Sequence, residues 1–284
     1  MKPPVRMTRR RALKLAAGGA AGLGLATGLY TWLWEPHWLE IARRKMPIAG
    51  LPAGLVGATL VQMGDLHIGP QVDNDYLLHS FDRVKALAPQ IVLYQGDFAT
   101  CVPEIVSNAE RMLPNLPTGQ LGTFGVLGNH DYGPEWSHPK VAARIAEYAA
   151  KAGVRILRNE VASVAGLQIM GLDDVWSGRF DLGVAMSALQ PGAAIALSHN
   201  PDTADVPGWD GFSSWILCGH THGGQCKPPF LPPPVLPVQN RTYVAGEYAL
   251  SGNRRMYINR GVGHLMQVRF NARPEITVFE LERG

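Results

Sequence analysis

From residue 58 onward, short apolar runs alternate with longer stretches whose apolar residues recur at helical spacing. The runs 58–63, 91–94 and 123–127 have strand length, and each ends at a glycine followed by Asp or Asn. Between the first two, Tyr76, Leu77, Phe81, Val84 and Leu87 share one helical face behind Asp73, which predicts a capped helix through Ala88. The pattern gives further helices over 104–113 and 140–152, the latter stopped by Gly153. Strands are expected at 154–157, 160–164, 167–172, 194–197 and 215–218, then at 243–245, 256–259, 265–270 and 276–281, with an added edge strand within 38–48. Six prolines between Lys227 and Gln239 exclude both a helix and a central strand there. Strand and helix alternate through the first two thirds, while the tail is nearly all strand. That order predicts a layered α/β sandwich rather than a single doubly wound sheet.

Charge divides the chain differently. The 284 residues carry a formal +3, and 46% are apolar, which excludes wholesale disorder. Lys2, Arg6, Arg9, Arg10, Arg11 and Lys14 stand together without an acid. The remainder holds 20 basic against 23 acidic residues, so the body is slightly acidic and no nucleic-acid partner is expected. Behind the basic stretch, Leu15 to Trp34 are uncharged. Basic-then-apolar order is that of an export signal or membrane anchor, and Thr8-Arg9-Arg10-Arg11-Ala12-Leu13-Lys14 resembles a twin-arginine signal. No clear cleavage site precedes Trp32, Trp34 and Trp38, so an uncleaved anchor is the favoured reading. Residues 1–34 are thus read as leader and 35–284 as one domain outside the cytoplasmic membrane. Cys101, Cys218 and Cys226 are too few for a disulfide framework; an oxidising compartment would permit one bond, such as Cys218–Cys226, and buried or free thiols are the favoured reading.

Chemistry is concentrated at five strand ends: Gly64-Asp65-Leu66-His67, Gly96-Asp97, Gly128-Asn129-His130-Asp131, Ser198-His199 and Gly219-His220-Thr221-His222. Loops at the carboxyl ends of strands build ligand sites in open α/β sheets. Mixed nitrogen and oxygen donors suit borderline divalent ions, and a carboxylate can bridge two of them. Singly, each motif is a common turn; their ordered combination is not. His37, His79 and His138 fall outside the pattern and read as surface residues, and His264 reads as a turn residue.

The ordered set resembles the signature of the calcineurin-like metallophosphoesterases. The strings Leu197-Ser-His-Asn-Pro-Asp202, Cys218-Gly-His-Thr-His-Gly-Gly-Gln225, Arg260-Gly-Val-Gly263 and Arg273-Pro-Glu-Ile-Thr-Val278 resemble a narrower group of exported or anchored bacterial phosphodiesterases. Gly64 in place of the usual Ser, and the missing Asp-Arg after Gly96-Asp97-Phe98, depart from the pattern. The resemblance implies a four-layer αββα sandwich and two divalent ions, with Mn, Fe, Zn, Ni and Co all open. It implies that Asp65, His67 and His222 hold one ion, that Asn129, His199 and His220 hold the other, and that Asp97 bridges them. A hydroxide between the ions would attack phosphorus, with His130 assisting the leaving oxygen and Asp131 orienting the His130 ring. The implied partners are a phosphoester substrate, lipid-linked in one reading, the twin-arginine translocase and the membrane. The alternatives are a pyrophosphatase acting on a UDP-2,3-diacylglucosamine-like nucleotide-lipid, and a non-catalytic metal-binding envelope protein.

Overall fold

The computed structural model describes residues 8–100 and 106–284. Lys2, Arg6, Cys101 and the expected helix start at Glu104 lie outside the described residues. The chain begins with α1 (Arg9–Leu29), capped by the Thr8 hydroxyl and continued by a π turn over Tyr30–Trp34 and a 3-10 turn over Glu35–His37. No residue of α1 is buried, and the helical run is long and apolar enough to cross a membrane. Its 21 residues span about 32 Å at 1.5 Å each, close to the thickness of a bilayer core.

The body then follows in order: β1 (Glu40–Ile48), β2 (Thr59–Met63), α2 (Asn74–Ala86), β3 (Ile91–Tyr94), α3 (Val106–Met112), β4 (Gly122–Gly125), α4 (Pro139–Lys151), β5 (Arg155–Ile156), β6 (Glu160–Val164) and β7 (Leu167–Gly171). It ends with α5 (Leu182–Ser187), β8 (Ala194–Leu197), β9 (Trp215–Cys218), β10 (Gly246–Ala249), β11 (Arg255–Ile258) and β12 (Glu275–Arg283). One six-stranded sheet has the order β1-β12-β2-β3-β4-β5, the other β10-β11-β9-β8-β7-β6.

Side-chain alternation along the strands builds the layers. In β3, Ile91 and Leu93 enter the core between the sheets, while Val92 and Tyr94 face α2 and α4 with Phe81, Val84 and Ile145. In β8 and β9, Ile195, Leu197, Trp215 and Leu217 meet the first sheet. Their neighbours Ala194, Ala196, Ile216 and Cys218 pack outward on Leu182 and Ala185 of α5. Three apolar interlayers separate four layers, so the sandwich expected from sequence is the one observed.

Several local expectations shift. The edge strand within 38–48 forms as β1, parallel to β12 over its whole length. The strand expected at 243–245 lies instead at 246–249, because Tyr243 bonds back to Asn240 and the Tyr248 hydroxyl accepts from Val244. Residues 265–270 are not a strand: only Phe270 makes a bridge, to Cys226, while the buried Arg269 gathers loop carbonyls. The short helix α5, capped by Asp181, is absent from the sequence reading. Cys218 and Cys226 are free.

Parallel pairing positions the site. β2, β3 and β4 run together and end in register at Met63, Tyr94 and Gly125. β7, β8, β9 and β11 are likewise parallel neighbours. All seven therefore deliver their following loops to one edge of the double sheet.

Candidate metal centre

The loops after β2, β3 and β9 turn sharply. Asp65, His67, Asp97, His220 and His222 all have positive φ, between 47° and 71°. A left-handed conformation costs a non-glycine residue about 1 kcal/mol or more. Five such residues in three loops mark a place where side-chain direction outweighs backbone comfort. Close backbone packing assists: a Cβ on Gly219 would run into Asp65 Oδ2, and one on Gly128 into Asp97 Oδ1.

Two buried clusters result. The ligand atoms of Asp65, His67 and His222 lie within 4.8 Å of one another, and so do those of Asp97, His199 and His220. His67 Nε2 is 3.0 Å from His222 Nε2, and His199 Nε2 is 3.1 Å from His220 Nδ1. Asp97 connects the clusters, its Oδ2 lying 3.2 Å from His199 Nε2 and 3.6 Å from His67 Nε2. Tautomers are set from outside: His199 Nδ1 donates to the Gln95 carbonyl at 2.8 Å, and His220 Nε2 to the Pro237 carbonyl at 2.8 Å. Each leaves its other nitrogen facing the cluster.

Asn129 sits on the turn packed against Asp97, whose Oδ1 accepts from the following amide, His130 N, at 2.9 Å. Asn129 is fully buried, yet neither side-chain polar atom has a partner. A buried amide without partners is costly. That orphaned group, flanked in sequence by two residues packed on Asp97, joins the facing imidazole nitrogens and two buried carboxylates in a donor set that fits divalent cations.

Electrostatics agree. Burial holds His67 and His220 down at about 3, and holds His222 well below its ordinary value, with His67 and Arg269 adding to the effect. These three are neutral imidazoles, the form that binds metal. Burial also raises Asp65 to about 7. For Asp97 burial works against the charge, but His199, His130 and His67 outweigh it and hold the carboxyl well below its usual range. Burial opposes charge on His199 too, yet Asp97 raises it to about 10. Asp97 and His199 are thus an ion pair where a cation would otherwise balance the carboxylate.

His130 is half-buried, its ring edge-on to His67 at 5.2 Å between centroids. Asp131 differs from expectation. Its Oδ1 accepts from Ala99 N at 3.0 Å and its Oδ2 from Gly128 N at 2.9 Å. Both oxygens are engaged by backbone, so Asp131 ties two loops together and does not orient the His130 ring. His264 is fully buried in a loop and held to the Gln71 carbonyl, His79 and His138 are exposed, and His37 is half-buried against Tyr76.

Other residues enter unannounced. Gln95 donates to Asp65 Oδ2 and to Asn259 Oδ1, and its side chain fills the space where a Cβ on Gly64 would fall. The departure at Gly64 therefore has a local reason. Asp174 follows β7, is buried and raised by burial to about 6; its Oδ2 has no partner. Trp176 lies edge-on to His220 at 4.5 Å and stacks on Trp136. Asp173-Asp174 repeats the pattern of an apolar strand running into polar residues and was legible by that rule. Through the Pro237 carbonyl the proline segment touches His220.

Fold and site together define a metal-dependent phosphoester hydrolase. Residues 58–224 match the calcineurin-like phosphoesterase family, to which this chain belongs. It is 31% identical to phosphodiesterase YaeI of Escherichia coli, over 97% of this chain and 99% of that protein. It is 30% identical to the metallophosphoesterase YkuE of Bacillus subtilis, over 98% of each chain. It is 28% identical to the UDP-2,3-diacylglucosamine pyrophosphatase LpxG of Chlamydia trachomatis, over 89% of this chain and 93% of that protein.

Proposed function

We propose that the chain hydrolyses a phosphodiester with two divalent ions, in a body comprising residues 35–284 held by residues 1–34 at the outer face of the cytoplasmic membrane. The observation that carries this reading is Asp97 Oδ2, buried within reach of both His67 and His199. In this scheme Asp65, His67 and His222 would hold one ion, Asn129, His199 and His220 would hold the other, and Asp97 would serve both. When bound, the ions supply Lewis acidity to the phosphoryl oxygens and lower the pKa of coordinated water.

The remaining work belongs to side chains. His130 reaches the mouth of the site with its main chain fixed to Asp97, where its ring gives a proton or hydrogen bond to the departing oxygen. Asp131 supports it indirectly by fixing the turn. Gln95 holds Asp65 in place, and Trp176 shields His220 from water on one side. Diester preference rests on the relative named a phosphodiesterase. A pyrophosphate-linked nucleotide-lipid is the second reading, supported by the LpxG relatives and by the N-terminal helix. Passage through the twin-arginine translocase rests on the leader motif alone.

The test is full-length protein loaded with Mn²⁺ and offered phosphomonoesters, phosphodiesters and UDP-lipids, with His130→Ala as control. Diester cleavage that the control lacks supports the proposal. Failure to cleave any phosphoester would favour a metal-binding envelope protein, and wild-type turnover by the control would sink the role given to His130.

A further inference from the structure

Two loops whose chain also contacts the site, at Pro237 and Arg269, carry exposed large apolar side chains. Phe230 is fully exposed, and Leu231, Val235 and Met266 are at least 60% exposed. They lie on two loops: the proline-rich segment 228–238 and the loop 264–268. Phe230 has φ +64°, a strained conformation for a bulky residue, and stiff proline neighbours surround it. A backbone held this way to present an apolar ring to solvent calls for a partner.

Hydrogen bonds join these loops to the end of the N-terminal helix. Gln225 Nε2 donates to the Met266 carbonyl at 3.1 Å, joining the two loops at their base. Gln267 Nε2 donates to the Trp32 carbonyl, Arg269 N to the Thr31 carbonyl, and Ala272 N to Glu35 Oε1, at 3.1, 3.0 and 2.7 Å. Glu35 is fully buried in this clasp. The end of α1 is therefore fixed to the body, and the apolar tips share its loop system. Segments 226–246 and 260–274 also contain Lys227 and Arg241 and no acidic residue, Arg241 bracing the proline segment through the Pro233 and Leu236 carbonyls, while Arg273 is turned to Glu40 and Trp38. Such a face suits anionic headgroups.

We propose that these two loops are a docking face for a lipid bilayer. With α1 crossing the membrane, the clasp brings the body down with Phe230, Leu231, Val235 and Met266 in the headgroup region. His220, bonded to Pro237 of the same loop, then lies just behind the membrane surface. Docking itself does not depend on hydrolysis; only its consequence, that membrane-borne phosphoesters reach the site, rests on the function proposed above.

Full-length protein in phosphatidylethanolamine–phosphatidylglycerol vesicles, carrying a bimane label at Phe230→Cys or Met266→Cys, tests this. Val184→Cys on α5 is the control, and signal from the native thiols is subtracted using the unsubstituted chain. The expected result is quenching at 230 and 266 by brominated lipid and shielding from aqueous iodide, with the reverse at 184. Iodide quenching at 230 and 266 as strong as at 184 would overturn the proposal. So would shielding from iodide without quenching by brominated lipid, which would point to a protein partner. Lipid contact in a protein that cleaves no phosphoester would uphold docking while removing the hydrolase reading.

Discussion

Asp97→Asn is the substitution that separates shared from independent metal sites. Asn keeps the shape of Asp97 and can still accept from His130 N, but removes the charge lying 3.2 Å from His199 Nε2 and 3.6 Å from His67 Nε2. Two unit charges 4 Å apart interact by about 4 kcal/mol at the effective dielectric typical of proteins. That corresponds to about a thousandfold in affinity. The loss should fall on both clusters, because Asp97 faces both. Equilibrium dialysis against Mn²⁺ with metal analysis is the assay, alongside diester turnover. A second readout needs no metal: in chelator-treated protein His199 stays protonated up to about 10 because of Asp97. Its ring resonances should titrate at lower pH in the variant. A variant that binds two ions with wild-type affinity, or a His199 titration that does not move, would refute the bridging argument.

His130→Ala should retain both ions while turnover falls by about 10²-fold or more, measured by metal content and initial rates. Gly219→Ala drives a methyl group into Asp65 Oδ2, so metal affinity should fall by about tenfold or more in the same dialysis assay. Arg158→Ala removes the cation 3.0 Å from the buried Asp173, which Tyr132 also contacts, and should cost about 2–3 kcal/mol in urea unfolding, an amount reduced by the partial exposure of Arg158. In metal-free protein, Asp65 and Asp131 are raised to about 7 and about 8, so the folded state holds protons that the unfolded chain has released. Stability from these groups should fall as pH rises from about 4 through those values. The Asp97–His199 pair acts differently: the Asp97 part is lost as pH falls through its depressed value, and the His199 part as pH rises through about 10. Chemical denaturation across this range, with and without Mn²⁺, checks the signs.

The strand ends are readable because each is a short apolar run that gives way, in four of five cases through a glycine, to Asp, Asn or His, a local signal. Five loops were found that way. The loop after β7, which opens with Leu172-Asp173-Asp174, obeys the same rule but offers no histidine to draw notice. Gln95 and Asn259 carry no local signal, because they pair with each other from strand ends of different sheets. Asp131 shows the limit of reading neighbours as partners: adjacent in sequence to His130, it spends both oxygens on backbone amides of two loops. The strand expected at 265–270 failed because buried Arg269 satisfies loop carbonyls that a strand would leave to a ladder. Nor could the sequence foretell that residues 267–272 fix the end of the N-terminal helix.

Anomalous diffraction from Mn²⁺-loaded crystals tests the central claim most directly. The account predicts two peaks, one against Asp65, His67 and His222 and one against Asn129, His199 and His220, with Asp97 Oδ2 between them. A single peak, or two without Asp97 in contact with both, would contradict it.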